Sequence, residues 1–276
     1  MDTAPRIRRF TGPDRSMHLW LILTFMVLAV TGTGRMFFST DWGQALLALF
    51  GGYDSATRIH IWAGWLMTGG FVVHIVVMLT RIDWRHLGRS LFGPNSLVPV
   101  WRDLKEFGQR FAWFFGLAKS PRFERWTYWE KFDYWAVFWG VPLLFISGLM
   151  LIYPVETSRL MPGWVLNVAS LIHRAEAILA VSYIVIVHLL IGHFRRSTFP
   201  LNEAMFSGSV PVEKAEEEKL DWMNRLKREN SLEQLSASAP ATWYRVLYFL
   251  FGYAVIILGL YLLIAGGYYS QFIQIH

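Results

Sequence analysis

The sequence contains no cysteine. Disulfide bonds, iron–sulfur ligation by thiolates and covalent attachment of a c-type haem are therefore excluded for this chain. Charged residues are also scarce, at 17% of the 276 residues, whereas hydrophobic residues make up 54%. Because a soluble domain usually carries about 25% charged residues, this composition favours a membrane protein.

Five apolar stretches indicate the fold class. Each approaches the roughly 20 residues that a helix needs to cross the hydrocarbon core of a bilayer. Lipid offers no hydrogen-bond partner to the backbone, so these stretches must be helical. We therefore predict an all-α integral membrane protein, a bundle of five transmembrane helices in a single membrane domain over residues 1–276. The predicted spans are about 17–34, 58–80, 132–153, 168–194 and 243–267.

The distribution of basic residues predicts the orientation. The segments 81–131 and 195–242 carry ten and seven Lys or Arg residues, and no Lys or Arg follows the fifth span. The positive-inside rule then makes both segments cytoplasmic loops, with the N-terminus in the cytoplasm and the C-terminus outside. These loops require no nucleic-acid partner to explain their charge. The first apolar run lacks a small-residue cleavage site, so we expect it to be retained.

Two short helices are expected within the predicted loops. The stretch Trp101–Phe115 mixes aromatic with basic residues, which is typical of an amphipathic helix at a membrane interface. The polar segment near Leu220–Arg228 predicts a short solvated helix.

Histidines carry the predicted chemistry. Ionisable groups inside membrane helices are costly and usually mark function. Two of the eight histidines, His86 and His276, lie outside the predicted spans. The other six are His18 in the first span, His60 and His74 in the second, and His173, His188 and His193 in the fourth.

The spacing of these histidines predicts paired ligands at two depths. His60 and His74 are about 40° and about 21 Å apart on an ideal helix, and His173 and His188 are about 60° and about 22 Å apart. His60 shares the outer depth with His173, and His74 shares the inner depth with His188. Two imidazoles from facing helices can fill both axial positions of one haem iron. The pattern therefore predicts a haem-binding helix bundle with two haems stacked across the bilayer. The lipid bilayer is then a partner of the chain.

Two other functions fit an apolar helical protein with histidines. One is a haem-free membrane anchor whose histidines only pack, and the other is a metal-ion or proton transporter. A transporter more often combines histidine with Asp or Glu, whereas Glu176 is the main carboxylate in the central parts of these spans. Histidines at matched depths on three helices favour haem over both.

Two segments resemble a known family. Arg15-Ser16-Met17-His18 with Thr31-Gly32 resembles the first helix of the cytochrome b subunits of membrane formate dehydrogenases, [NiFe] hydrogenases and thiosulfate reductases. Ile172-His173-Arg174-Ala175-Glu176-Ala177, followed by His188, resembles the fourth helix of that family. The resemblance covers about 200 residues, from the first span to the fourth.

The resemblance implies a quinone-reactive subunit of a respiratory oxidoreductase that binds two haems b in a bacterial inner membrane. Such a subunit carries electrons between a periplasmic catalytic subunit or multihaem cytochrome c and membrane quinone, such as menaquinone. The chain itself would perform no substrate chemistry beyond the quinone. The family pattern implies His60 and His173 as ligands of the outer haem, and His18 and His188 as ligands of the inner haem.

The chain departs from that pattern in two respects. His74 is an extra histidine at ligand depth, and the histidines of the fourth span are 15 residues apart where the family implies 14. The inner partner of His188 is therefore open between His18 and His74. A third haem, held by His18 and His193 while His74 pairs with His188, is a further alternative.

Charged residues near the span ends suggest additional roles. Arg58 and Arg174 are placed to pair with haem propionates. Glu130, Asp133 and Tyr134 lie at the cytoplasmic mouth of the third span, where carboxylates can exchange protons with a quinone near the inner haem. Acidic residues are also favoured at any helix start. A chain without a quinone site would instead connect two protein partners.

Overall fold

The computed structural model describes residues 4–272 of the chain, so His276 lies outside the described residues. The helices are α1 (Gly12–Met36), α2 (Asp41–Ala48), α3 (Tyr53–Arg81), α4 (Leu87–Phe92), α5 (Trp101–Phe114), α6 (Tyr128–Ile152), α7 (Pro154–Leu160), α8 (Trp164–Phe194), α9 (Ala204–Ser207), α10 (Val212–Glu218), α11 (Leu220–Arg228) and α12 (Thr242–Tyr269). Short 3₁₀ turns cover Glu233–Leu235 and Ser270–Phe272. The strands are β1 (Arg6–Arg8), β2 (Ser209–Pro211) and β3 (Ser236–Ala237).

Five of these helices, α1, α3, α6, α8 and α12, are long and apolar enough to cross a membrane. They confirm the prediction of an all-α membrane protein with five spans. Each is longer than its predicted apolar stretch, because a helix continues past the hydrocarbon core into polar surroundings. The longest, α8, has 31 residues and is therefore about 46 Å long, against a core of about 30 Å.

The chain divides into two compact units. The loop unit comprises residues 4–15, Ile75–Val137 and Phe194–Tyr248. The histidine unit comprises Ser16–His74, Phe138–His193 and residues 249–272. All six histidines of the predicted spans lie in the histidine unit, and both predicted cytoplasmic segments lie in the loop unit. The cytoplasmic position of these segments and their membership of one membrane domain remain predictions.

The loop unit is built around a small antiparallel sheet. The strand order is β2-β1-β3, so the N-terminal strand is central. Ile7 of β1 is 1% exposed and packs with Trp222, Met223 and Leu226 of α11. The bounds predicted for α11 are confirmed, but its predicted solvation is wrong. Its polar composition hid an apolar face, formed by residues at helical spacing, that the sheet covers.

The amphipathic helix predicted near Trp101 is confirmed as α5. Its acidic residues Asp103 and Glu106 are buried, and the Lys131 ammonium lies 2.8 Å from an Asp103 carboxylate oxygen. Its apolar residues Phe107 and Phe111 are exposed. The helix therefore attaches to the loop unit by its charged face, and its location at a membrane interface remains a prediction.

The histidine unit has an apolar core in which α2 joins two long helices. The core residues are Ala29 and Val30 of α1, Phe37 just after it, Trp42 and Leu46 of α2, and Leu262 of α12. The Trp42 indole donates a hydrogen bond to the Tyr261 hydroxyl at 2.8 Å. Gly43 is required here, since a Cβ would lie 2.0 Å from the Phe37 carbonyl oxygen. These contacts hold the C-terminal end of α1 against α2 and α12.

Candidate functional site

Four histidines of the histidine unit form two pairs. The ring of His60 on α3 lies 6.3 Å from the ring of His173 on α8, centroid to centroid, with 67° between the planes. The ring of His18 on α1 lies 6.1 Å from that of His188 on α8, with 47° between the planes. In both pairs the partners come from different helices, and α8 contributes to both.

The ring separation fits two imidazoles on opposite sides of one iron. With a metal–nitrogen bond of about 2 Å on each side, the ring centroids lie roughly 6 Å apart. A haem needs only two protein ligands, because the porphyrin supplies four nitrogens. In the part of the chain that the structure describes, no group of three or more His, Cys, Asp or Glu side chains could hold a bare metal ion. The donor set therefore matches haem.

The hydrogen bonds of the first pair leave the same nitrogen free on each ring. The Thr31 hydroxyl lies 2.9 Å from Nδ1 of His60, and the Ser147 hydroxyl lies 3.0 Å from Nδ1 of His173. Each hydroxyl already donates its hydrogen to its own helix, to the carbonyl of Val27 at 2.6 Å and of Leu143 at 2.7 Å. Nδ1 must then be the donor in both histidines, which leaves the Nε2 lone pair available to a metal.

A glycine follows each of these hydroxyl residues. A Cβ at Gly32 would lie 3.2 Å from Cε1 of His60, and one at Gly148 would lie 3.3 Å from Cε1 of His173. Both contacts are tighter than ordinary van der Waals contact, so the glycines make room for the imidazole rings. The two rings therefore rest in equivalent hydroxyl–glycine seats on α1 and α6.

The helix around His188 explains the unusual spacing of 15 residues. Residues Ile184–Ile191 form a π-helix within α8. A turn closed by an i→i+5 bond holds one residue more than an α-turn, so the chain rotates less per residue here. One such extra residue gives the angular equivalent of a 14-residue spacing in a regular helix, about 40° from alignment. Wide turns of this kind occur frequently at functional sites.

The remaining histidines occupy different surroundings. The ring of His74 packs against Phe138 at 6.2 Å, and the ring of His193 lies 6.4 Å from that of His188. His86 is exposed and bonds to Asp83 at 3.0 Å, outside the long helices. The structure thus brings His18 next to His188 and places His193 beside the same ring.

The predicted propionate partners Arg58 and Arg174 lie on α3 and α8, and both are exposed. The Arg174 guanidinium donates to the Ser170 hydroxyl, one turn earlier, at 2.8 Å. Both side chains remain accessible to an anion.

The three residues predicted to serve a quinone lie at the start of α6 in the loop unit. Glu130 accepts from Arg9 at 2.8 Å and from Lys219 at 2.7 Å, and also from the backbone N–H of Thr127. Burial lowers the pKa of the Lys219 ammonium to about 8. Glu130 therefore connects three segments of the loop unit, and its role toward a quinone remains a prediction.

The other two predicted quinone residues follow within one turn. Asp133 is partly buried, and the Tyr134 hydroxyl contacts the Met78 sulfur on α3 at 3.2 Å. Both residues are partly buried, as Glu130 is.

Sequence reasoning missed the role of Ser147. The dipeptides Thr31-Gly32 and Ser147-Gly148 carry a common signal, a hydroxyl followed by glycine in an apolar helix. That signal became meaningful only when both dipeptides were found against a histidine Nδ1.

Comparison with known proteins identifies the family. The family described as prokaryotic cytochrome b561 matches residues 9–208. The probable Ni/Fe-hydrogenase 1 B-type cytochrome subunits of Escherichia coli strain K12 and of Escherichia coli O157:H7 are each 34% identical to this chain over 118 residues. That alignment covers 41% of this chain and 45% of each relative, so the chain spans less than half the length of the curated relatives it matches.

The family match covers well over half of the 276 residues and includes every histidine of the two pairs. A b-type cytochrome implies haem b, and the paired imidazoles fit that group. The five long apolar helices fit a multi-pass membrane protein. The chain therefore belongs to the prokaryotic cytochrome b561 family of membrane electron-transport proteins.

Proposed function

We propose that this chain is the membrane subunit of a respiratory oxidoreductase complex, and that it binds two haems b to transfer electrons between a periplasmic partner and membrane quinone. The observation that carries the proposal is the pair of imidazole couples, with ring centroids 6.3 Å and 6.1 Å apart. When bound, haem b supplies a one-electron iron couple. The chain would supply the imidazole nitrogens that hold the haem and the apolar surroundings.

The outer haem is assigned to His60 and His173. The hydroxyls of Thr31 and Ser147 orient both rings and present Nε2, which is the arrangement that ordered metal-binding histidines use. Gly32 and Gly148 leave space for the rings. The spacing of the histidines and the family resemblance agree on this pair.

The inner haem is assigned to His18 and His188. Their ring separation of 6.1 Å supports His18 over His74, whose ring packs against Phe138. The π-helix around His188 accounts for the extra residue in α8, which removes one of the two departures from the family pattern. A third haem would require His18 to pair with His193, and His74 to pair with His188. This alternative has less support, since the rings of His18 and His193 both lie next to the ring of His188.

A hydrogenase is the first candidate for the periplasmic partner. The curated relatives are named as cytochrome subunits of Ni/Fe-hydrogenase 1, and the alignment to them supports a similar assembly. A multihaem cytochrome c is the alternative partner. In this assembly the chain spans a bacterial inner membrane, with its N-terminus in the cytoplasm and its C-terminus in the periplasm, as the basic residues predict.

Quinone, with menaquinone as one candidate, is proposed as the second redox partner. Asp133 and Tyr134, at the start of α6, are proposed to exchange protons with it, and the Glu130 carboxylate, which accepts from Arg9 and Lys219, is proposed to hold that helix start in place. Asp133→Asn should then reduce quinone turnover while haem content stays unchanged. Unchanged turnover in that variant would place the quinone elsewhere.

Haem content per purified protein tests the central proposal. The full chain should show reduced-minus-oxidised bands of b-type haem and two haems per chain by pyridine haemochrome assay. His18→Ala and His60→Ala should each remove one haem, whereas His74→Ala should leave both.

Three outcomes would contradict parts of this proposal. A protein without b-type bands would be a haem-free anchor or a transporter. Loss of a haem in His74→Ala but not in His18→Ala would transfer the inner ligand to His74. Loss of different haems in the two variants would establish three sites.

A further inference from the structure

Arg35 is a partly buried cation that forms no ion pair with the residues that the structure describes. It lies in the last turn of α1, within the histidine unit. Its Nε atom is buried and has no hydrogen-bond partner. Among residues 4–272, no carboxylate lies within ion-pair distance of its guanidinium. Its guanidinium carbon lies 5.8 Å from the centroid of the Tyr53 ring.

The position of Arg35 relative to the outer histidine pair follows from two contacts between α1 and α3. Thr31 of α1 bonds to His60 of α3, and Arg35 of α1 lies over Tyr53 of α3. Thr31 and Arg35 are four residues apart, and Tyr53 and His60 are seven apart, so each pair shares one helix face. Arg35 therefore lies about 6 Å along α1 from the level of the His60 contact.

A partly buried guanidinium in an apolar helix bundle needs a compensating negative charge. Without one, the cost of removing the cation from water is unrecovered, and such charges in membrane proteins usually mark a functional partner. Haem carries two propionate groups at its edge, and a planar guanidinium binds a carboxylate with two parallel hydrogen bonds. The haem proposed for His60 and His173 would bring such carboxylates to the neighbourhood of the histidine that α1 contacts through Thr31.

We propose that Arg35 binds a propionate of the outer haem and raises the midpoint potential of that haem. The inference rests on the proposed function, since it requires the outer haem to be present. The physical reason is electrostatic: a fixed cation disfavours the ferric state, which carries one more positive charge than the ferrous state. Arg58 and Arg174 are exposed, whereas the Nε atom of Arg35 is buried, so Arg35 acts through a less screened field.

A redox titration of the purified full chain tests the inference. In Arg35→Gln we expect the oxidised-to-reduced ratio of the outer haem to rise about tenfold at a fixed ambient potential. For a one-electron couple this is a fall of about 59 mV in midpoint potential. The inner haem should be unaffected. The His60→Ala protein, which lacks the outer haem, identifies which spectral component belongs to each site.

Two further variants control for loss of structure and for general charge effects. Arg35→Lys keeps the charge and should restore most of the potential. Arg159→Gln removes an exposed arginine of α7 that contacts neither histidine pair, and it should leave both potentials unchanged. Loss of the outer haem in Arg35→Gln together with its retention in Arg35→Lys also supports the propionate contact.

The outcomes separate this inference from the function on which it rests. If the unaltered chain binds no haem, the proposed function fails. If it binds two haems and Arg35→Gln leaves both potentials unchanged, the inference about Arg35 alone is overturned. An equal shift in Arg159→Gln would also overturn it, because the effect would then come from general surface charge.

Discussion

The loop unit and the histidine unit satisfy their buried polar groups in different ways. In the loop unit the bonds are between charges: Arg6 with Glu203 at 2.6 Å, and Glu130 with both Arg9 and Lys219. In the histidine unit the corresponding bonds are neutral, from imidazole to the hydroxyls of Thr31 and Ser147. The interior of the loop unit therefore holds paired charges, whereas these bonds in the histidine unit join neutral groups.

The cause is the surroundings that each unit is expected to have. An isolated charge at the centre of a bilayer costs several kcal/mol, so a helix bundle in lipid uses small hydroxyl donors and acceptors instead. The polar loop segments tolerate ion pairs, because each charge there has an opposite charge within hydrogen-bond distance. Arg35 differs from the neutral hydroxyls and imidazoles of the histidine unit, because its partly buried guanidinium is charged.

The largest expected effect of a single substitution on this contrast is in the loop unit. Trp222 is 1% exposed in its core, so Trp222→Ala should destabilise that unit by about 3–5 kcal/mol. Amide hydrogen exchange should show the loss of protection in β1 and α11, with the haem spectrum retained. Trp101→Ala removes an exposed indole of the same unit and should cost less than about 0.5 kcal/mol. Equal losses of stability in the two variants would show that the sheet and α11 do not enclose a hydrophobic core.

A smaller effect is expected in the histidine unit. Thr31→Val keeps the shape of the side chain but removes the acceptor for Nδ1–H of His60, which makes the imidazole less basic. We expect the affinity of the outer site for haem to fall by about 10-fold. The midpoint potential of that haem should rise, opposite to the effect of Arg35→Gln.

The matched control is Thr24→Val on the same helix. The Thr24 side chain is also buried, but its hydroxyl bonds to the carbonyls of Trp20, at 2.8 Å, and Leu21 of its own helix rather than to a histidine. Redox titration and haem titration should leave this variant unchanged. A response equal to that of Thr31→Val would assign the effect to helix stability.

The smallest expected effect is a pH dependence of the loop unit. Because burial lowers the pKa of Lys219 from 10.5 to about 8, the unfolded chain binds more protons than the folded chain between these pH values. The free energy of unfolding should therefore increase as the pH rises through this window. Thermal unfolding followed by tryptophan fluorescence measures it.

Lys219→Met should flatten this dependence, and Lys227→Met should not. Lys227 is exposed and pairs with Glu216 at 2.5 Å, so it serves as the control for loss of a lysine. A slope that survives in Lys219→Met would show that another group titrates in the loop unit.

The five spans and the depths of their histidines were predictable because they depend on local composition and helical period. A run of about 20 apolar residues has one stable form in lipid, and residues 14 apart lie on nearly the same face of any α-helix. Spacing and span direction therefore placed His60 and His173 at one depth, but left the inner partner of His188 open. Only the end residues of the spans differed, since polar residues continue each helix beyond its apolar part.

The features that were missed depend on long-range packing. The burial of α11 depends on β1, which is about 200 residues earlier in the sequence. The hydrogen bonds of Thr31 and Ser147 require α1 to contact His60 and α6 to contact His173. No period in a single segment contains that information.

The sequence by itself determined that this protein is a bundle of membrane helices with histidines at two depths, because lipid permits only internally bonded helices and makes buried imidazoles costly. The tertiary structure decided which rings meet: His60 with His173, and His18 with His188. It also decided which nitrogens His60 and His173 present, and it placed Arg35 over Tyr53 near the His60 contact. These properties depend on distances between helices, and the π-helix at His188 shows that even the rotation of one helix can depart from its regular period.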